Sequence, residues 1–346
     1  MTEHCYLVVD GGTSRTRVRL WHDGAVVDEA EARIGAKDVA LARDASPIAE
    51  ALRGLIETLR GRHEVAPSAV VCSGMISSNV GLVEVPHVTA PIALGELARR
   101  LVRRDVAAVT ELPIYFVPGI KTVAPAGGWD ELPGFDVMRG EEAEVVGLMA
   151  LEDLEPPLAF FHCGSHHKLI EVGTGGASAA GGASAAGGGE AVVLCSSTAI
   201  TGELLAAIRE RTILASSLAE LDDLELDADA LAAGERHARS HGFARAAFLV
   251  RVGETIAGLG RAGVTSFLLG ALADLDLQLI EHDVAPDREV ILYGGGLFPG
   301  ILRKALLRTG SRRVRVLDRS LSDGAATVGA VRMLQAFLGE GAGAQT

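Results

Sequence analysis

Two adjacent carboxylates, Glu141 and Glu142, follow Arg139 and Gly140 at the point where a helical pattern begins. Acidic side chains are favoured in the first turn of any helix, since its exposed N–H groups and dipole attract negative charge. A carboxylate in the same place can instead act as a base that accepts a proton from a hydroxyl group. Successive helical residues diverge by about 100°, so only one of the pair can face a nucleophile squarely. The sequence leaves both roles open.

Turns of glycine and small polar residues form the second set of candidates. Asp10 ends the apolar run CYLVVD, and GGTSRT follows it, so this carboxylate either caps the turn or binds a cation. Residues 164–166 (Gly-Ser-His) come after a second apolar run. Glycine lets a backbone approach a ligand closely, because it has no side chain. The three glycines at 294–296 exceed the needs of a tight turn, which favours a ligand lying against bare backbone.

The segment HCGSHHK at 162–168 contains three histidines and a cysteine, which are zinc ligands. Neighbouring side chains of a strand point in opposite directions, however, and no second cluster of ligands follows in the sequence. A turn that offers N–H groups to a phosphate, with His166 and Lys168 nearby, is the stronger interpretation.

The elements that hold these residues follow a repeated order. The chain opens with a strand at 5–10, a glycine turn and two extended segments joined by a hairpin at Asp23-Gly24. Residues 158–172 repeat the order of strand, small-residue turn and strand. Further strands are predicted at 69–75 and 114–120, a strand and helix within 289–306, and helices at 47–60 with Ser46 as N-cap, from about 141, at 201–213, 243–261, 264–281 and 323–338, the last capped by Asp323 and Gly324.

The length of 346 residues exceeds the size at which one hydrophobic core keeps growing, so two domains are expected. We place an N-terminal α/β domain at 1–156 and a C-terminal α/β domain at 157–346. The run GTGGASAAGGASAAGGG at 173–189 has no side chain that could pack a core, which predicts a flexible loop between two strands.

Composition excludes several classes of function. A formal charge of −13 argues against a nucleic-acid partner, because binding phosphate backbones requires clustered Lys and Arg. Four scattered cysteines without a CxxC motif fit reduced thiols. We expect no membrane partner, since no apolar run has spanning length and the N-terminus lacks a basic region. The sequence predicts a cytoplasmic protein and leaves a homo-oligomer open.

Several motifs together resemble those of one enzyme family. VVDGGTSRTRVRLW, CSGMISSNVG, VPGI, DVMRGEEAEVVG, GSHHKLIEV, TGEL and FLVR occur in the order and approximate spacing of the 2-dehydro-3-deoxygalactonokinases. The match spans nearly the whole chain, and MRGEE and SGMISSNVG are its most distinctive parts. The resemblance implies a two-domain α/β fold of the actin-like, hexokinase-like ATPase superfamily, which is ribonuclease H-like and has an interdomain cleft.

The resemblance also implies roles for the candidate residues. Asp10 would hold Mg²⁺ through water, Glu141 would be the catalytic base and Arg139 would bind the substrate carboxylate. Glu142 would orient Arg139 or complement the helix dipole. The residues implied to bind ATP are Asp10, Gly11, Gly12, Thr13, Ser14, Gly164, Ser165, Gly294, Gly295 and Gly296, and those implied to bind the sugar acid are Ser77, Ser78, Asn79 and Arg139.

The implied reaction is the ATP- and Mg²⁺-dependent phosphorylation of 2-dehydro-3-deoxy-D-galactonate to its 6-phosphate, in galactonate and galactose catabolism. One alternative is a kinase for 2-dehydro-3-deoxy-D-gluconate or another sugar acid. Another is a nucleotide-binding regulator with the same fold and no turnover. Intact carboxylates at Asp10 and Glu141 argue against the regulator.

Overall fold

A computed structural model of the chain describes residues 4–175, 189–308, 310 and 312–339. The contacts divide the chain into two units, and we describe each by itself. Unit 1 consists of the described residues of Met1–Pro156, Val172–Ser196 and Ser320–Thr346, and unit 2 of those of Pro157–Glu171 and Ser197–Arg319.

Helices and strands alternate along most of the described chain. The strands are β1 (Cys5–Gly11), β2 (Thr16–His22), β3 (Ala25–Ala32), β4 (Ala69–Gly74), β5 (Val88–Thr89), β6 (Ile92–Ala93), β7 (Val102–Arg104), β8 (Ile114–Phe116), β9 (Ile120–Thr122), β10 (Asp136–Met138), β11 (Leu158–Cys163), β12 (His167–Thr174), β13 (Ala191–Ala199), β14 (Glu289–Gly294) and β15 (Val314–Val316). The helices are α1 (Ala36–Ala42), α2 (Ser46–Arg62), α3 (Leu94–Arg99), α4 (Glu141–Leu151), α5 (Thr201–Arg211), α6 (Ala228–His241), α7 (Phe243–Thr255), α8 (Arg261–Asp283), α9 (Phe298–Arg308) and α10 (Arg319–Leu338).

Unit 1 is built on a sheet in the order β3-β2-β1-β4-β8-β7. Its centre, β1, β4 and β8, is parallel, and parallel strands buried on both faces read as continuous apolar runs, as CYLVVD does. Because β1 and β4 run in the same direction, their C-terminal ends meet at one edge, where Asp10 pairs with Ser73 and Gly11 with Gly74.

Helices cover both faces of this sheet. The apolar side of α2 packs on the face that carries Leu7 and Val9, in one continuous core. Alternate residues of a strand point to the opposite face. There α10 contacts the sheet, where Thr327 bonds to Arg19 of β2 and Phe337 packs edge-on against Tyr115 of β8.

A small sheet in unit 1, in the order β10-β9-β5, leads the chain into α4. Its inward residues, Ile120 and Met138, are buried and paired across the strands. The N-terminal part of β13 pairs with β6, also within unit 1.

Unit 2 contains a sheet whose strands β15, β14, β11 and β12 are neighbours in that order, with β11 and β14 parallel. Cys163 and Gly294, the ends of these two strands, are paired. The core of the unit lies between this sheet and α8, which also packs against α6, α7 and α9.

Helix α8 is the one helix of the described residues that is long and apolar enough to cross a membrane. This corrects the expectation that no apolar run has spanning length. The apolar window of α8 is 72% buried, and the helix carries Asp274 and Asp276, both fully buried. A core helix passes the same test, so the feature is weak evidence for a membrane segment.

Several predicted boundaries differ from the structure. Ser46 lies inside α2 and its N-cap is Ala45, while Asp323 and Gly324 lie inside α10, which begins at Arg319. Helix α6, whose N-cap Asp227 accepts two backbone N–H bonds, was not predicted. The predicted flexible loop 173–189 begins within β12, and its residues 176–188 lie outside the described part of the chain.

One division of the chain falls after Pro156, and the described residues of Val172–Ser196 and Ser320–Thr346, which include the C-terminal helix, group with unit 1. The reason is close packing between α10 and α4. A Cβ at Gly147 would lie 1.9 Å from the carbonyl oxygen of Ala325, and one at Gly329 would lie 1.8 Å from that of Ala143. Such contacts between backbones require glycine, and no sequence pattern near residue 156 announces them.

Candidate active site

The carboxylate of Asp10 lies half-buried at the C-terminal end of β1. Burial raises the pKa of Asp10, and the nearby positive charges of Arg19 and Arg17 act in the opposite direction. Arg17 is the partner of Asp10 across the β1–β2 pair, and its Nη2 lies 3.5 Å from Glu31 Oε2 on the next strand. Arg19 Nη1 donates to Thr327 Oγ1 at 2.6 Å. Asp10 therefore shares one sheet face with two arginines.

The turn after Asp10 is fixed by the start of α1. Ala36 N–H donates to the carbonyl oxygen of Gly12 at 3.1 Å, and Lys37 N–H donates to that of Thr13 at 2.8 Å. A Cβ at Gly35 would lie 2.6 Å from both oxygens. The side chains of Thr13 and Ser14 stand exposed at the tip. The backbone of this turn is thus held from behind while its tip faces outward.

The ends of β1 and β4 and the start of α4 meet at three glycines. A Cβ at Gly74, where φ is +82°, would lie 2.6 Å from the carbonyl oxygen of Gly11 and 3.5 Å from Asp10 Oδ1. A Cβ at Gly140, where φ is +116°, would lie 3.3 Å from Gly74 Cα. Asp10 and the two glutamates predicted to flank the acceptor site therefore belong to one corner of unit 1.

The glutamates at the start of α4 have different surroundings. Gly140 N–H donates to both carboxylate oxygens of Glu142 at 2.8 Å, and Glu142 is fully buried. Arg139 N–H donates to Glu141 Oε2 at 3.1 Å, and Glu141 is only half-buried. Burial, assisted by the charge of Glu141, raises the pKa of Glu142 to about 8. Of the pair, Glu141 has the accessible carboxylate.

The guanidinium of Arg139 donates hydrogen bonds to other residues of unit 1. Its Nη1 donates to the carbonyl oxygen and Oγ of Ser77, both at 2.7 Å, and its Nη2 to the carbonyl oxygen of Val85 at 2.9 Å. Nη2 also lies 3.2 Å from His87 Nε2. Burial lowers the pKa of Arg139, whereas Glu142 and Glu84 raise it. A bidentate contact with a substrate carboxylate would have to displace these bonds.

The residues predicted to bind the sugar acid separate into buried and exposed ones. Ser77 is fully buried, and its hydroxyl lies within donating distance of the carbonyl oxygens of Gly74, at 3.1 Å, and Val117, at 3.2 Å. Ser78 Oγ donates to the carbonyl oxygen of Met75 at 2.7 Å. Asn79 is exposed. Sequence reasoning could not tell these three residues apart, because the partner of the Ser77 side chain, Arg139, lies 62 residues further along the chain.

The second predicted phosphate turn, in unit 2, joins β11 to β12. Glu203 N–H donates to the carbonyl oxygen of Ser165 at 2.7 Å, and Glu203 Oε2 lies 3.1 Å from His166 Nε2. A Cβ at Gly202 would lie 2.1 Å from the carbonyl oxygen of Gly164. The start of α5 thus holds this turn from behind.

A cavity of about 630 Å³ opens beside this turn, entirely within unit 2. Gly164, Gly202 and the triplet Gly294, Gly295 and Gly296 contribute to its lining. Gly294 needs to lack a side chain, since φ is +108° and a Cβ would lie 2.3 Å from the carbonyl oxygen of Cys163; Gly295 and Gly296 face open space. The structure brings together four of the unit 2 residues predicted to bind ATP, Gly164, Gly294, Gly295 and Gly296, in a cavity with the volume of a small-molecule site, whereas Ser165 does not line it.

No group of three or more His, Cys, Asp or Glu side chains that could hold a metal occurs in residues 4–175, 189–308, 310 and 312–339. Asp10 is thus a single carboxylate at the turn. Mg²⁺ usually keeps several waters and binds through one or two carboxylates plus substrate phosphates. A lone carboxylate beside a phosphate turn fits that chemistry.

Comparison with known proteins gives the family. A model of the 2-keto-3-deoxy-galactonokinase family matches residues 10–329. The chain belongs to this family. The 2-dehydro-3-deoxygalactonokinase of Escherichia coli (strain K12) is 24% identical over 291 residues, which cover 84% of this chain and 85% of that one. The chain is therefore a sugar-acid kinase, and family members use ATP.

Two solved structures show the fold. One, from Sinorhizobium meliloti and provisionally named a 2-dehydro-3-deoxygalactonokinase, is 25% identical with a TM-score of 0.72, covering 96% of this chain and 98% of that one. The other, xylulose kinase from Lactobacillus acidophilus, is 11% identical with a TM-score of 0.52, covering 97% and 90%. This chain has the two-domain actin-like ATPase fold that its motifs implied.

Proposed function

We propose that this kinase transfers the γ-phosphoryl group of ATP to the 6-hydroxyl of 2-dehydro-3-deoxy-D-galactonate. The observation that carries the proposal is the start of α4, where the half-buried carboxylate of Glu141 stands in the same corner of unit 1 as Asp10. Family membership supplies the acceptor class. The reaction belongs to the cytoplasm, where ATP is regenerated.

ATP is proposed to bind in the cavity of unit 2. Bare backbone at Gly295 and Gly296 leaves room for the adenosine, and Gly164, which lines the cavity, is proposed to face the phosphates together with the adjacent Ser165. The turn from Gly11 to Ser14 of unit 1 is, taken by itself, also proposed to bind phosphate. Backbone N–H groups suit this task, because they carry fixed partial charge and need no reorganisation.

Asp10 is proposed to hold Mg²⁺, in part through water. The ion would supply charge neutralisation for the phosphates. Burial raises the pKa of Asp10, and the charges of Arg19 and Arg17 on the same face act in the opposite direction, towards the ionised form that would bind a cation.

Glu141 is proposed as the base that accepts the proton of the attacking hydroxyl. It is the more exposed member of the pair, and its Oε2 is oriented by a hydrogen bond from the backbone N–H of Arg139. Glu142 holds the first turn of α4 through Gly140. Arg139 is proposed to hold residues 77–87 in place around the acceptor rather than to bind the substrate carboxylate through both of its terminal nitrogens.

The test is a coupled ADP-release assay with Mg-ATP. Wild type is compared on 2-dehydro-3-deoxygalactonate, 2-dehydro-3-deoxygluconate, galactonate and a blank without acceptor. We expect ADP release with the first acceptor far above the others. Equal rates with both keto-deoxy epimers would overturn the specificity, and no release with any acceptor would overturn the function.

Glu141→Gln keeps the size of the side chain and its backbone bond but cannot take a proton. We expect kcat to fall by about 10²–10⁴-fold, the usual contribution of a general base, with the KM for ATP little changed. Glu144→Gln, on the same helical turn, is the matched control and should retain wild-type turnover. If Glu142→Gln loses turnover and Glu141→Gln does not, the base is Glu142.

A further inference from the structure

Three buried polar side chains of unit 2 meet at Asp276, in the middle of α8. His167 Nδ1 lies 2.7 Å from Asp276 Oδ2, and Thr201 Oγ1 donates to Asp276 Oδ1 at 2.6 Å. None of the three is more than 2% exposed. Burying a carboxylate is costly unless its oxygens are bonded, and here both oxygens are.

The two partners of Asp276 lie on either side of the phosphate turn. His167 is the residue that directly follows Gly164, Ser165 and His166. Thr201 is the first residue of α5 and directly precedes Gly202 and Glu203, which hold the carbonyl oxygens of the turn. One carboxylate therefore fixes the strand that leaves the turn and the helix start that supports it.

His167 also reaches the other side of the cavity. Its ring packs edge-on against Phe298, with centroids 4.8 Å apart and planes at 79°. Phe298 begins α9, directly after the glycine triplet and Leu297, and both rings line the cavity. The same imidazole that bonds to Asp276 thus contacts the helix start that follows the glycine triplet.

We propose that Asp276 is a positioning residue for the nucleotide, acting through His167 and Thr201. It holds the turn at residues 164–166 in register with the glycines at 294–296, so that one ATP can contact both. The proposal rests on the nucleotide site proposed above. Asp276 itself lies beneath the cavity and touches none of the reacting atoms.

A second buried carboxylate on the same helix supplies a matched control. Asp274 is fully buried, and it accepts bonds from Arg239 Nε at 2.8 Å and Gln278 Nε2 at 2.7 Å. None of these three residues lines the cavity. A carboxylate that only stabilises α8 would give the same result at Asp274 and Asp276, whereas a positioning carboxylate would not.

The experiment compares four variants: Thr201→Val, Thr201→Ser, Asp276→Asn and Asp274→Asn. For each we measure kcat, the KM for ATP, the KM for the sugar acid and the thermal midpoint. Thr201→Val removes one hydrogen bond to the carboxylate at constant shape, and we expect the KM for ATP to rise about tenfold, since such bonds are worth at least a factor of ten. The KM for the sugar acid should stay within about twofold.

Thr201→Ser keeps the hydroxyl group and should restore the wild-type KM for ATP. Asp274→Asn should lower the thermal midpoint without raising that KM. If Asp276→Asn does not fold, the two Thr201 variants still test whether Asp276 positions the nucleotide. Equal KM values for ATP in Thr201→Val and wild type, or an equal rise in Asp274→Asn, would overturn the inference.

Calorimetry of wild-type protein with ATP separates this inference from the function on which it rests. No binding of ATP by wild type would overturn the nucleotide site itself. Binding by wild type that Thr201→Val leaves unaltered would overturn only the positioning role of Asp276.

Discussion

The two turns proposed to bind phosphate are supported in the same way, each by the start of a helix, which we call the shared frame. They differ in the carboxylate that accompanies each turn. In unit 1 the carbonyl oxygens of Gly12 and Thr13 are held by the start of α1, and Gly35 allows the close approach. In unit 2 the start of α5 holds the turn after Cys163 in the same way, and Gly202 takes the place of Gly35. Each turn is a strand end supported from behind by a helix start.

The two turns differ in the origin of the carboxylate that lies near each of them. In unit 1 it is Asp10, a half-buried carboxylate in the last part of β1. In unit 2 the paired strand ends are Cys163 and Gly294, and the buried carboxylate is Asp276, from a helix far along the chain. A buried carboxylate whose two oxygens are already hydrogen-bonded stabilises the fold, whereas a half-buried carboxylate can bind a ligand. The same frame therefore supports two kinds of chemistry.

The comparison is tested most strongly at Asp10. Asp10→Asn removes the charge proposed to hold Mg²⁺, and we expect kcat to fall by about 10²–10³-fold, as when one preorganised electrostatic group is lost. Titration of activity with Mg²⁺ is the measurement, and the half-saturating Mg²⁺ concentration should rise. Asp276→Asn should leave that concentration unchanged. If the two variants respond to Mg²⁺ alike, the distinction between the carboxylates is wrong.

The shared frame is tested at the paired glycines. Gly35→Ala and Gly202→Ala each push a Cβ into a carbonyl oxygen, 2.6 Å and 2.1 Å away respectively. We expect each to lower the free energy of unfolding by about 1–3 kcal/mol, measured by urea denaturation. Gly54→Ala is the control, since a Cβ there meets nothing within 4 Å inside α2, and it should stabilise by about 0.5–1 kcal/mol. Wild-type stability in both Gly35→Ala and Gly202→Ala would contradict the claim that a closely packed helix start supports each turn.

A smaller effect concerns Glu142, which resembles Asp276 in being buried with both oxygens bonded. Its pKa is raised from 4.5 to about 8, so the folded protein binds a proton that the unfolded chain releases. The contribution of Glu142 to stability is therefore present below pH 4.5 and declines as pH rises towards 8. Glu142→Gln should flatten this decline in denaturant titrations between pH 5 and pH 8. An unchanged slope would show that the carboxylate titrates normally.

Local features of unit 1 could be read from the sequence. The run CYLVVD and the glycines after it predict β1 and its turn, and the acidic pair at 141–142 predicts the start of α4. The actin-like fold and the kinase family followed from such motifs in order. Which of Asp10, Glu141 and Glu142 takes part in catalysis stays a prediction.

Long-range contacts could not be read in this way. His167 and Asp276 are 109 residues apart, and no spacing rule joins a strand start to the middle of an apolar helix. The hydrogen bond that Ser77 Oγ accepts comes from Arg139, 62 residues away. The pairing of α10 with α4 depends on Gly147 and Gly329, which look in the sequence like ordinary weak helix formers.

The packing of α10 on α4 has a consequence for biosynthesis. The helix that starts with Glu141 leaves the ribosome before the surface that packs against it, because α10 begins only at Arg319. A nascent chain therefore carries the proposed base on an unsupported helix until α10 has been translated. Termination between residues 296 and 319 would yield a product with every proposed ligand residue but without the helix that packs against α4.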